Sequence, residues 1–205
     1  HLMRLQSTPE IENVIRQGFV DIIAEEIDRV ALTGSGTSNQ PRGILNTTGV
    51  GSVAMGPNGA YVTLDKMLDL KKEVSVANAD VPSCSYVTNS KVEAAVSQLK
   101  DDNNSYLLNP YGQEIGKQQL ASRRFVVSNQ IPSNLSKGSA SGTLSAAIFG
   151  NFSDLYIGMW GSLEILVDPY SDFSKGTIEV RALQSIDVAV ARTDSFAAIQ
   201  DIYAT

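Results

Sequence analysis

Ala31-Leu32-Thr33-Gly34-Ser35-Gly36-Thr37-Ser38-Asn39-Gln40-Pro41-Arg42-Gly43-Ile44-Leu45-Asn46 is the stretch on which the reading of this 205-residue chain turns. A glycine directly behind an apolar helical run marks a helix end, because glycine enters the left-handed backbone region without a Cβ clash. The Gly34-Ser35-Gly36 spacing is not a dinucleotide-binding loop. Such a loop needs a third glycine and joins a strand to a helix, whereas this segment leaves a helix.

Upstream, Ile11, Val14, Ile15, Phe19, Ile22, Ile23, Ile27 and Val30 recur at helical spacing and predict one helix over 7–32 with a single apolar stripe. Ser7 and Glu10 have capping-box spacing, with Pro9 in the first turn, where its missing N–H costs nothing. At 1.5 Å per residue the helix would run about 39 Å. It carries six acids (Glu10, Glu12, Asp21, Glu25, Glu26, Asp28) against two bases, Arg16 and Arg29. Downstream, residues 33–60 hold glycines 34, 36, 43, 49, 51, 56 and 59, with Pro41 and Pro57, and show no periodicity. So long an irregular connection is either mobile or pinned by other contacts.

From Thr63 the pattern alternates. Thr63 is expected to cap a helix reaching Asn78 with Leu64, Met67, Leu68 and Val74 inward, and Ser83–Thr88 reads as a strand. Ser90 and Glu93 form a second capping box, opening a helix with Val92, Ala95, Val96 and Leu99 on one side. Arg124–Val127 and Ala146–Phe149 read as strands, separated by a Ser/Gly-rich loop over Ser133–Thr143. The tail reads as a long hairpin. Leu163–Val167 is one strand, and Asp168-Pro169-Tyr170-Ser171-Asp172 is turn chemistry. Thr177–Arg192 is a second strand, with Ile178, Val180, Ala182, Ile186, Val188 and Val190 on one face. Sixteen strand residues would reach about 53 Å, and a projecting hairpin of that length must lean on something.

The chemistry is thin. The net charge of −6 argues against a nucleic-acid binder, since neutralising phosphates requires clustered Lys and Arg. No apolar run approaches the roughly 20 residues that cross a bilayer, so no membrane partner is expected. With one cysteine, Cys84, and one histidine, His1, in an opening His1-Leu2-Met3 that reads as foreign, neither a zinc site nor a Ser-His triad can be assembled. The carboxylate pairs Glu25-Glu26, Asp101-Asp102 and Asp168 with Asp172 read as solvated faces and turn builders. Cys84 reads as a buried small hydrophobe, and Met159 and Trp160 as core, with an interface role as the alternative. No catalytic, cofactor-binding or metal-binding residue is assigned. An acidic helix and a long hairpin with no chemistry of their own favour an assembly protein.

The 31–46 stretch resembles the hallmark of tailed-bacteriophage major capsid proteins of the Hong Kong 97 type, in which a long spine helix ends in leucine followed by Gly-x-Gly-Thr-Gly and, after four intervening residues, Gly-Ile/Leu. Gly34, Gly36, Thr37, Gly43, Ile44 and Asn46 carry the match, with Ser38 where the family often has glycine. The order that follows is similar too: Thr88-Asn89 before a helix, Tyr106-Leu107-Leu108, Phe149-Gly150-Asn151-Phe152, and a close at Arg192-Thr193-Asp194-Ser195-Phe196-Ala197-Ala198.

The resemblance implies an α+β fold with a peripheral domain (7–60, spine helix and Gly-rich connection), a compact α/β axial domain (61–157), the peripheral long hairpin (158–192) and a closing axial strand (193–205). It implies a hairpin tip of Asp168, Pro169, Tyr170, Ser171, Asp172 and Lys175 at inter-capsomer junctions. It further implies self-association into hexamers and pentamers of an icosahedral shell around double-stranded DNA, in a virion assembled in the bacterial cytoplasm. A scaffold, a maturation protease and weak contact with packaged DNA would be the other partners, and no cofactor is implied. An encapsulin-like compartment shell is the alternative. The family's N-terminal arm and E-loop have no counterpart here, so a truncated chain, too short of contacts to close a shell, is expected. Lys–Asn cross-linking is not expected, because no asparagine stands near Lys175-Gly176-Thr177.

Overall fold

The computed structural model describes residues 10–107, 119–168, 170, 171, 175 and 179–204, with side chains from residue 14 onward. By their contacts they form two units, one holding residues up to 28 with 157–187, the other 29–156 with 188–204.

The first unit contains most of helix α1 (Glu10–Thr33) and most of the hairpin β8 (Leu155–Asp168) and β9 (Glu179–Val190), a two-stranded sheet. The helix is unbroken at Gly18. Ser7 and Pro9 of its expected cap lie outside the described residues. The expected stripe is only partly a core. Phe19, Ile23 and Ile27 are half-covered and Val30 is buried, but Val14 and Ile22 are 70% and 65% exposed. The covered side of the helix is therefore narrower than the hydrophobic pattern predicts. The strand expected at 163–167 starts at Leu155, and 14 residues at 3.3 Å span about 46 Å. In β9 the covered positions from Ala182 onward (Gln184, Ile186, Val188, Val190) keep the expected parity.

The second unit is a mixed sheet in the order β1-β10-β7-β3-β5-β4, with β2 also on β10 and β6 also on β7. These strands are β1 (Gly51–Ser52), β2 (Ala60–Tyr61), β3 (Ser85–Thr88), β4 (Gln119–Leu120), β5 (Arg123–Val127), β6 (Leu135–Lys137), β7 (Ala140–Gly150) and β10 (Phe196–Tyr203). Helices α2 (Leu64–Val76) and α3 (Ser90–Ser97) complete the unit. Adjacent residues on the central strands belong to opposite cores. Tyr86, Phe149, Ala197 and Ile199 pack with Met67, Leu70, Val74, Val92 and Val96, while Val87, Ile148, Phe196 and Ala198 pack with Leu32 and Ile44. Both faces of the sheet are thus buried, so these strands read as continuous apolar runs.

Local chemistry sets the helix starts. Thr63 Oγ1 accepts from Lys66 N at 3.4 Å, as its position predicts. The second cap is Asn89, not the Ser90–Glu93 box: Asn89 Oδ1 accepts from Val92 N at 3.0 Å, while Ser90 donates N–H and hydroxyl to Asn129 Oδ1. On α2 the inward residues are Met67, Leu70 and Val74, and Leu68 points out. The Ser/Gly-rich 133–143 stretch is a hairpin, β6 turning into β7 at Gly138-Ser139 with Gly138 at φ +59°. The 33–60 connection is pinned, because β1 and β2 pair in parallel with β10.

Candidate functional site

The glycine segment forms a miniature hairpin folded back on the end of α1. Ser35 bridges Arg42 in antiparallel fashion, Gly36 N donates to Pro41 O at 3.2 Å, and Gly43 N donates to Gly34 O at 2.9 Å. Its tip holds Ser38 and Asn39 at φ +55° and +61°, with Gln40 N donating to Thr37 O. Two consecutive left-handed residues make a type I′ turn. Ser38 occupies such a position, which explains the glycine preference there. Inside the loop, the Ser35 hydroxyl donates to Gln40 Oε1 at 2.8 Å and lies 3.0 Å from Thr37 Oγ1.

The same segment terminates the helix. Gly34 N takes Val30 O at 2.8 Å, and Asn46 Nδ2 donates to both Thr33 O and Gly34 O at 3.0 Å, so carbonyls orphaned at the helix end find donors. Gly34 and Gly43 are there because the backbones touch. A Cβ on Gly34 would sit 2.2 Å from Pro41 O, and one on Gly43 2.5 Å from Gly34 N. Ile44, fully buried, then plugs the second core cluster. All six predicted hallmark residues are brought together, and they build a joint between helix and sheet.

At the hairpin tip, Asp168 Oδ1 accepts from Tyr170 N at 2.8 Å and Ser171 N at 3.3 Å, and the Ser171 hydroxyl donates to Oδ2. The Ser171 hydroxyl, then the Tyr170 amide, hold the Asp168 carboxyl below its ordinary range. Asp168 is a turn builder, as its residue type suggests. Tyr170 and Lys175 are exposed, and Pro169 and Asp172 lie outside the described residues.

The polar joints missed by pattern reading are tertiary. Asp201, buried on β10 beside the β-bulge between Ile199 and Ile202, accepts from Met55 N at 3.0 Å and pairs with Lys137 Nζ at 2.5 Å. Arg123 pairs with Asp80 at 2.8 Å, and Arg192 donates to Ala77 O beyond the end of α2. The only hint of Asp201 in the sequence is an acid interrupting the apolar run 196–202. Cys84 is buried, and burial pushes its thiol up, the direction opposite to a nucleophile's. Among the described residues no group of three or more His, Cys, Asp or Glu side chains could hold a metal ion.

Met159 and Trp160, read as core with an interface role as the alternative, are not core: they are exposed, at 63% and 62%. Tyr156, Ile157, Leu166, Val167, Tyr170, Val180 and Leu183 of the hairpin region are exposed as well, and since neighbours along a strand point to opposite faces, they fall on both faces of the ribbon. Large apolar residues at this density mark interaction surfaces.

A sequence profile described as the phage capsid family matches residues 4–201. The major capsid protein of Halomonas phage phiHAP-1 is 23% identical over 195 residues, 95% of this chain and 29% of that protein, so the chain spans less than a third of that relative. The capsid of an empty GTA particle superposes with a TM-score of 0.74 at 21% identity, covering 97% of this chain and 69% of that one. An encapsulin complex from Synechococcus elongatus superposes at 0.65 with 16% identity, covering 98% and 70%. At these identities the structural likeness speaks to the fold.

Proposed function

The chain belongs to the phage capsid family, and on that premise we propose that it is the shell-building body of a major capsid protein. In this reading many copies associate as hexamers and pentamers of an icosahedral shell around double-stranded DNA, assembled in the bacterial cytoplasm, and the chain performs no catalysis. The peripheral domain is α1 with the long hairpin, the axial domain is the mixed sheet with α2 and α3, and β10 is the closing axial strand. The hairpin tip at Asp168–Lys175 reaches a junction between capsomers, the hallmark loop is the joint between helix and sheet, and scaffold, protease and packaged DNA remain partners of the full-length product.

The observation that carries this is the apolar exposure of the hairpin region. Among the described residues between Tyr156 and Leu183, nine large apolar side chains are exposed, a composition that calls for cover from another subunit. Symmetry turns one such modest contact into a closed assembly. The test expresses the full-length gene product and its Trp160→Asp and Leu183→Asp variants, read by sedimentation and negative-stain microscopy. The variants are expected to fold yet remain small while the parent forms shells; shells of parental size from both variants would overturn the role of this exposure. The encapsulin likeness supports a compartment shell as second reading, and purified particles holding protein cargo without nucleic acid would favour it.

A further inference from the structure

The chain's negative charge is segregated. Residues 1–28 and 157–187 carry eleven acids against four bases, while 29–156 and 188–205 carry eleven against twelve. Within the acidic part, α1 has an uncovered side. Phe19, Ile23, Ile27 and Val30 lie on its covered flank, and Val14, Ile15, Gly18 and Ile22 line up on the other at helical spacing. Val14, Ile15 and Ile22 are exposed. Nothing lies within 4 Å of the point where a Cβ on Gly18 would sit, so the row has a notch at its centre. Exposed Asp21, Glu25 and Asp28 border it, with Asp21 accepting from Gln17 Nε2 at 2.8 Å.

We infer that this face of α1 docks a partner of stated chemistry, a basic amphipathic helix. An apolar row with a glycine notch admits a second helix at close range, its side chains filling the gap between Val14 and Ile22. The row from Val14 to Glu25 runs about 17 Å, three turns of a partner helix. The acidic border selects Lys or Arg beside the partner's apolar stripe and repels a second copy of this same face. The acidic border thus sets the chemistry of the occupant, a helix with basic side chains flanking its apolar stripe. This goes beyond shell formation and does not depend on it.

The test titrates the chain with a labelled synthetic helix of about 18 residues, long enough to cover the row, bearing a leucine stripe flanked by lysines. The same peptide with glutamate for lysine is the control. Expected are binding of the lysine peptide alone, weakening with salt, and slowed amide exchange confined to 14–28. Asp21→Lys with Glu25→Lys should weaken binding about tenfold at unchanged helicity. Gly18→Phe, which fills the notch, should weaken it similarly; should that variant not fold, the charge swap on exposed residues carries the test. Equal binding of both peptides, protection on 157–187 or on the sheet, or undiminished affinity in the charge swap overturns the inference. So does self-association of the chain through this face, abolished by the charge swap, since the occupant would then be a second copy.

Discussion

Replacing Gly34 by alanine separates close packing from backbone conformation. Its φ is not in the left-handed region, so alanine meets no intrinsic penalty there. The added methyl would instead stand 2.2 Å from Pro41 O and 2.6 Å from Val30 O, both backbone atoms that cannot swing aside. The miniature hairpin must lift from the helix end. That stretches Gly34 N to Val30 O and Gly43 N to Gly34 O, at 2.8 and 2.9 Å, each contributing about 1 kcal/mol. It also loosens Ile44, whose complete burial contributes about 2 kcal/mol when retained. A loss of about 3 to 4 kcal/mol follows, near the top of the range for single substitutions. Gly36→Ala is the comparison. Gly36 sits at φ +70°, and its nearest neighbour is the flexible Arg42 side chain, so the cost should stay near 1 kcal/mol. Urea denaturation followed by circular dichroism measures both at constant slope. If Gly34→Ala costs no more than Gly36→Ala, the glycine is not there for the contact and the account of the joint fails.

Ser38→Gly should stabilise the chain by about 1 kcal/mol in the same assay, because the residue is held at φ +55° in the turn. Gly18→Ala should stabilise by a similar amount, about 0.5 to 1 kcal/mol, since the methyl meets nothing and the helix gains propensity. Lys137→Met should cost about 1 to 2 kcal/mol, less than a fully buried pair because the lysine is part-exposed, and Asp201→Ala should cost more by also stranding Met55 N. Asp168, with its folded pKa depressed, supports the tip above its unfolded value and loses that support as pH falls through the folded one; carbon-13 titration should show its midpoint below that of a model peptide, and a midpoint at or above it refutes the turn.

Elements with strong periodicity or a local start signal were legible: α1 from its recurring isoleucines, α2 from Thr63, and β9 from alternation after Ala182. The hallmark glycines were legible as a motif, but their cause was not, since backbone contact between residues 34 and 41 is not written in either one. Strands β7 and β10 lack alternation because Ile148 and Phe149, or Ala197 and Ala198, enter opposite cores. Asn89 outcompeted Ser90 as cap because Asn129, 39 residues away, claims the Ser90 hydroxyl. Trp160 left core and interface both open, because bulk and apolarity signal burial without saying whether a core or a neighbour supplies it.

The position of β10 between β1 and β7 has a consequence for synthesis. The strand made last of those described lies inside the sheet, one place from its edge, joining segments near residues 51 and 60 to the strand ending at Gly150. A nascent chain still lacking residues 196–203 can form its helices and the β3–β5 ladder, but it cannot seal either core. Folding of the sheet unit is therefore held back until translation has passed Tyr203, because the pairings of β1, β2 and β7 must wait for the strand they share. A ribosome that stalls before that point leaves an open body which proteases can recognise, so unfinished copies are kept out of whatever the finished chain builds.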